Sequence, residues 1–215
     1  MLSRSANTVV PIITIHENFG AAERSYVRDQ EIHGQGEWAD RIYEVVRGAV
    51  RSYKTLCDGR RQICAFHLQN DIFGWEDGPT YRFTAEAIVD TAVRVVRRQT
   101  LEYVAATNIQ VAHSLLSMTT RNLLHAESQM MLLGRKNSLE KVAAFLLEMD
   151  RRLSGTDVLA LPMSRLDIAD YLGLALETVS RELSVFRALG ILRFADTSQR
   201  QIVLEDRQKL QRFNS

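Results

Sequence analysis

From Tyr26 to about Arg97 the chain is cut into short apolar or alternating runs separated by turn signals. Arg41-Ile-Tyr-Glu-Val-Val-Arg47, Ala49-Val-Arg-Ser-Tyr-Lys-Thr-Leu56, Gln62-Ile-Cys-Ala-Phe-His-Leu68 and Ala92-Val-Arg-Val-Val-Arg97 have the length and residue types of strands. Between them stand His33-Gly-Gln-Gly36, Gly48, Asp58-Gly59, Asn70-Asp71, Gly74 and Asp77-Gly-Pro79. Strands at this spacing predict an all-β barrel or jelly roll, and Asp58-Gly59 predicts a hairpin. Trp38 and Trp75 are expected to pack in that barrel. Residues 1 to about 25 carry little pattern and predict an arm with at most a short helix.

After Arg98 the period changes to that of a helix, and no proline occurs between Pro79 and Pro162. Ile109, Leu116, Leu123 and Met130 lie seven apart, with Ala112, Thr119, Ala126 and Leu133 between them. This is the spacing of a two-stranded coiled-coil seam and predicts a homodimer. The alternative is one helix buried inside a monomer. Leu115, Met118, Leu124 and Met131 form a second stripe, expected to pack on the β domain. Gly134-Arg-Lys-Asn137 reads as a hinge. Ser138-Leu-Glu starts a further capped helix with Val142, Phe145 and Leu146 as its apolar positions.

Two short helices follow. Ser164 with Asp167 three residues on resembles a capping box. Ile168, Ala169 and Leu172 give the first helix an apolar face, and Gly173 ends it. The second helix spans roughly 175 to 188, with Val179, Leu183 and Phe186 facing the core. Glu177, Ser180, Arg181 and Ser184 share its other face. Such a mixture of carboxylate, hydroxyl and guanidinium can read base edges in a major groove. Glu177 and Arg181, one turn apart, can also form a surface ion pair with each other. Ile191-Leu-Arg-Phe194 and Gln201-Ile-Val-Leu204 flank a polar turn and predict a small hairpin, or wing.

Charge changes this picture in one respect. Lys and Arg number 27 against 26 Asp and Glu, a net charge of +1. From Ser138 onward 11 cations face 11 acids, so any DNA affinity must come from where cations are placed and not from bulk charge. No apolar run is long enough to span a bilayer, and the N-terminus lacks the apolar core of a signal peptide. A cytoplasmic protein is expected, with Cys57 and Cys64 reduced. Two cysteines are too few for a four-thiolate cluster. His16, His33, His67, His113 and His125 are scattered, so no metal and no cofactor is expected.

The order of β-roll, long helix and winged helix-turn-helix resembles the CRP/FNR superfamily of bacterial transcription regulators over roughly residues 25 to 205. The resemblance rests on Asp167-Ile-Ala-Asp-Tyr-Leu-Gly-Leu-Ala-Leu-Glu-Thr-Val-Ser-Arg-Glu-Leu, on Gly48-x-Val-x-Ser-Tyr53 and on Phe66-His-Leu-x-x-Asp71-x-x-Gly74. Glu177, Ser180 and Arg181 match the FNR side of the superfamily. With no cysteine cluster, the chain looks most like the FixK branch, which controls low-oxygen and nitrogen-fixation genes. The resemblance implies an α+β chain in three parts. These are an arm and β-roll over 1–107, a dimerisation helix and hinge over 108–136, and a winged helix-turn-helix over 137–215.

It further implies a sequence-specific activator, not an enzyme, that binds TTGA-type inverted repeats in double-stranded DNA. Leu176, Glu177, Ser180 and Arg181 would meet the bases, and Ser164, Arg165, Thr178 and Arg200 the phosphates. Ala175 departs from the hydroxyl residue usual before the recognition helix and makes a weaker cap. Glu76 and Asp77 match a loop through which family members touch RNA polymerase, and that loop reads as exposed and acidic. Cyclic-AMP-binding members hold the phosphate with Gly-Glu-Leu and Arg-Ser-Ala. Here Gly74-Trp75-Glu76 and Phe83-Thr84-Ala85 stand in their place, so no cyclic nucleotide is expected to bind. Two other functions fit the pattern less well: a ligand-gated sensor of the same fold, and a cupin-type metal enzyme, which would need a His-x-His pair.

Overall fold

The computed structural model describes residues 21–153 and 158–214. The expected N-terminal arm therefore lies mostly outside the described residues. Its last part is not an arm: Ala22–Tyr26 is a strand, β1, paired antiparallel with the strand Thr91–Arg97. Its five residues are nearly all exposed, which is why its sequence shows no apolar alternation.

The strands β2 (Glu31–His33), β3 (Arg41–Arg47), β4 (Val50–Thr55), β5 (Arg61–His67), β6 (Ile72–Phe73), β7 (Thr84–Ala87) and β8 (Thr91–Arg97) complete the β-roll. One sheet has the order β1-β8-β3-β6 and the other β2-β7-β4-β5. The β4–β5 hairpin turns through Leu56 to Arg60, with Gly59 at a φ of +83° that glycine accepts without strain. Inside the roll, His33 is buried and stacks on Tyr81, with Tyr43 and Phe73 beyond it. Trp75 packs beneath the helices, but Trp38 is 70% exposed and is not a barrel residue. It serves an isolated bridge to Thr80, and its backbone pairing leaves the ring outside.

Two helices leave the roll: α1 (Arg98–Thr107) and α2 (Ile109–Arg135). Asn108 separates them in an extended conformation, and its side chain accepts from the N–H groups of Gln110 and Val111. Val111, Leu115 and Met118 bury one face of α2 against Ile42, Val96 and Leu101. Leu124 and Met131, expected on that stripe, are exposed, because this half of α2 runs past the roll. The heptad residues Ile109, Leu116, Leu123 and Met130 are 59–74% exposed, and none belongs to an apolar core cluster among the described residues.

The helix α3 (Ser138–Arg152) is capped one residue earlier than expected, by Asn137 paired with Glu140. Ser138 instead donates to Glu182 at 2.8 Å. Then come β9 (Val158–Ala160), α4 (Arg165–Leu172), α5 (Leu176–Ala188), β10 (Leu192–Phe194), β11 (Gln201–Leu204) and α6 (Arg207–Arg212). The wing is a three-stranded sheet, β10-β11-β9, and not a bare hairpin. The core of α3, α4 and α5 is continuous with Ile63, Phe66 and Leu68 of the β-roll. Among the described residues no helix is long and apolar enough to cross a membrane.

Both ring nitrogens of His33 are buried without a hydrogen-bond partner. Burial, and next the neighbouring His67, lower its pKa to about 4 from the ordinary 6.5. The folded state thus holds it neutral, while an unfolded chain would protonate it near pH 6.5. Its contribution to stability is complete above pH 6.5 and is lost as pH falls toward 4. Melting temperature should therefore drop over that window. His33→Phe, which keeps the ring stack without a titrating group, should reduce the drop in a pH series of thermal melts and leave the part due to His67, whose pKa burial likewise lowers to about 4.

Candidate nucleic-acid interface

The recognition unit is held from beneath. Val179, Leu183 and Phe186 are buried, while Glu177, Arg181 and Ser184 on the opposite face of α5 are exposed and Ser180 is half-buried. Gly173 closes α4 at φ +61° in the left-handed region. Ala175 supplies no side-chain cap to α5, so the first-turn N–H groups of this helix keep the capacity to meet an anion. Leu176 opens the helix, part exposed beside Glu177.

Arg181 does not pair with Glu177. Its guanidinium lies 3.1 Å from Glu182, a carboxylate fixed by Ser138 on α3. Glu182 is buried, so this contact holds one terminal nitrogen of the Arg181 guanidinium while most of the side chain stays exposed. Ser180 accepts from Arg165 at 3.2 Å. Arg165 also donates to Gln199 in the wing, and its guanidinium lies over the Phe194 ring at 5.5 Å. Arg187 covers the same ring at 5.8 Å. Burial and then the charge of Arg187 lower the pKa of Arg165. A cation so placed, with hydroxyl and amide partners, is suited to an incoming phosphate.

Ser164, Arg165 and Arg200 line one cavity of about 200 Å³ between α4 and the wing, with Ser198 and Gln199. Thr178 is not among its lining residues; it sits half-buried in the first turn of α5. The expectation that Ser164 donates to a phosphate meets a conflict. Its N–H and hydroxyl both donate to Asp167, at 2.9 and 2.7 Å. The residue is a helix cap whose donors are committed, and the charged donor at that end is Arg165. Sequence reasoning missed Gln199 and Arg187. The first is marked only by its φ of +58°, and the second only by its ring partner.

The acidic loop is likewise only half as expected. Asp77 is exposed, but Glu76 is buried. Its carboxylate accepts from the Arg82 backbone N–H at 3.2 Å and from Arg82 Nε at 2.5 Å. A buried carboxylate needs such donors, so the side chain turns inward. Among the described residues no group of three His, Cys, Asp or Glu is placed to hold a metal ion.

Comparison with known proteins agrees with this architecture. Residues 140–213 match a model described as a Crp-like helix-turn-helix domain, and residues 23–108 a cyclic nucleotide-binding domain. The nitrogen fixation regulation protein FixK of Azorhizobium caulinodans is 41% identical over 195 residues, covering 88% of this chain and 78% of that protein. FixK of Rhizobium meliloti is 38% identical over 172 residues, covering 80% and 78%. The structure of FixK2 from Bradyrhizobium japonicum superposes with a TM-score of 0.87 at 57% identity, covering 91% and 98%. The chain belongs to the CRP/FNR family of transcription regulators, in its FixK-like branch.

In the β-roll the Arg82 guanidinium lies over the Phe83 ring at 5.5 Å and is bound to Glu76, so this cation already has a carboxylate partner. Titration calorimetry with cyclic AMP should give no heat of specific binding, and Arg82→Ala should not create a site.

Proposed function

We propose that the protein is a homodimeric transcription activator that reads TTGA-type inverted repeats with α5. The observation that carries this is the exposed Glu177–Arg181 face of a helix whose opposite face is buried, beside a cavity lined by Arg165 and Arg200. Arg181 can give two donors to guanine O6 and N7, and Glu177 can accept from cytosine N4. Leu176 would touch a thymine methyl, with Ser180 as a further base-reading residue. Arg165, Arg200 and Thr178, with the N-terminal turns of α4 and α5, would hold the backbone.

The uncovered heptad on α2 supports a second copy as its occupant. Two recognition helices then meet half-sites about one DNA turn apart. Contact with RNA polymerase would use Asp77 and the exposed residues after it, not Glu76. The relatives named nitrogen fixation regulation proteins support control of nitrogen-fixation or low-oxygen genes, and the same reading has the protein act in the cytoplasm without a small ligand.

Arg181→Ala should cost about 1–3 kcal/mol on a TTGA palindrome and flatten preference at one base pair per half-site. Fluorescence anisotropy with singly substituted half-sites measures both. Leu123→Glu should leave the far-ultraviolet circular dichroism of the chain intact and give a monomer in analytical ultracentrifugation, with palindrome affinity lost.

A further inference from the structure

The β-roll and the recognition unit are joined by an ion cluster that lies away from the proposed DNA face. Its centre is Asp167, a buried carboxylate on α4. One oxygen, Oδ2, accepts from the Ser164 N–H and hydroxyl and so closes the cap of α4. The other, Oδ1, accepts from Arg51 at 3.0 Å and from Arg61 at 2.8 Å. Both arginines belong to the β4–β5 hairpin strands, 116 and 106 residues earlier in the chain.

The cluster is built outward from there on both sides. Arg61 Nε donates to Asp170 at 3.0 Å, and Gln62 donates to the Asp170 carbonyl at 2.7 Å. On the roll, Arg51 also binds Glu86, which accepts from Tyr53 at 3.0 Å, and Asp29. The Arg61 guanidinium lies 5.3 Å from the centre of the Tyr53 ring. A buried carboxylate with donors on every side is rigid, since loss of any one donor leaves charge without compensation.

We propose that Arg51 and Arg61 are positioning residues for DNA recognition, acting through Asp167. The carboxylate they grip is the one that caps α4, so they set the direction of that helix's first turn. Arg165 projects from the same turn and reaches both Ser180 and the wing. The hairpin packs on the side of α4 away from the polar face of α5, and leaves Glu177 and Arg181 exposed. The clamped arrangement is thus one in which the reading face is open, and the clamp favours binding. This inference rests on the DNA reading above.

Arg61 and Asp170 are each only about one-fifth exposed at the side chain yet lie at the cluster's edge, which permits a charge swap. Arg61→Asp and Asp170→Arg, made singly, should each weaken binding of the full-length dimer to the palindrome roughly tenfold. The loss should be equal for matched and singly substituted half-sites, unlike that of Arg181→Ala. The double variant restores opposite charges between positions 61 and 170 but leaves an aspartate at position 61 facing Asp167, and should recover only part of the lost affinity, binding more tightly than either single variant. Hydrogen exchange of the α4 amides should quicken in the singles and recover in part in the double.

Unchanged or tighter binding by Arg61→Asp overturns the proposal, as does a double variant that stays weak while its α4 amides are protected. If the parent itself does not prefer the palindrome over unrelated DNA, the DNA reading falls and the inference falls with it. That result is distinct from a parent that binds and an Arg61→Asp variant that binds equally.

Discussion

A helix can offer polar groups to a partner only if its other face is fixed. For α5 that constraint is met by one apolar core, in which Val179, Leu183 and Phe186 join Phe145 and Leu146 of α3, Leu172 of α4 and Phe66 of the β-roll. Phe66, Phe145 and Tyr171 meet as a group of rings, with centroids 5.0 to 6.3 Å apart. Burial of this kind supplies most of the free energy but little direction. Direction comes from the polar groups set into the core's margin. Asp167 fixes α4, Glu182 joins Ser138 of α3 to the Arg181 guanidinium, and the Tyr171 hydroxyl accepts from Gln129 of α2 at 2.5 Å. Each of these ties two elements that the apolar core alone would let slide.

The long helix shows the same division of labour. Its buried stripe is short, Val111 to Met118, and ends where the roll ends. Beyond that point α2 touches its own chain mainly through half-buried His125 and Gln129 and through Leu132. A 27-residue helix with one side of its heptads uncovered presents an apolar stripe of the kind that marks a protein–protein contact. The seven-residue period from Ile109 to Met130 is the period of a partner helix, not of a globular core.

Much of the fold was legible because local rules and tertiary packing agree. Strands β3, β4, β5 and β8 fall where alternation and turn residues put them, and Ser164, Asp167 and Gly173 bound α4 as cap chemistry requires. The missed elements share a cause. β1 is exposed, β9 and α6 are short, and none has a period that stands above its flanks. Within the site, type and spacing pointed to the α5 face, but not to how its members are held. Nothing in the spacing of Glu177 and Arg181 says that Glu182 would win the arginine. That choice depends on Ser138, 44 residues away, orienting the Glu182 carboxylate. Glu76 likewise reads as an exposed acid until Arg82 is seen to close on it.

The neutral balance of the C-terminal part gains a meaning from these pairings. Its acids are largely spent on cations that would otherwise spread positive charge over the surface. Asp167 and Asp170 hold Arg61, Asp150 holds Arg207, Glu205 holds Arg193, and Glu148 holds Arg152. Arg165 is bound instead by a serine, an amide and a ring, and Arg187 lies on that same ring. Where a guanidinium has a carboxylate, its field is cancelled over a few ångströms. Where it has neutral partners, the field reaches outward. Arg165 and Arg187 thus carry their charge to the junction of α4, α5 and the wing with neutral partners, where the N-terminus of a helix adds partial positive charge. For a chain with almost no net charge, the proposed attraction of a polyanion rests on such local placement.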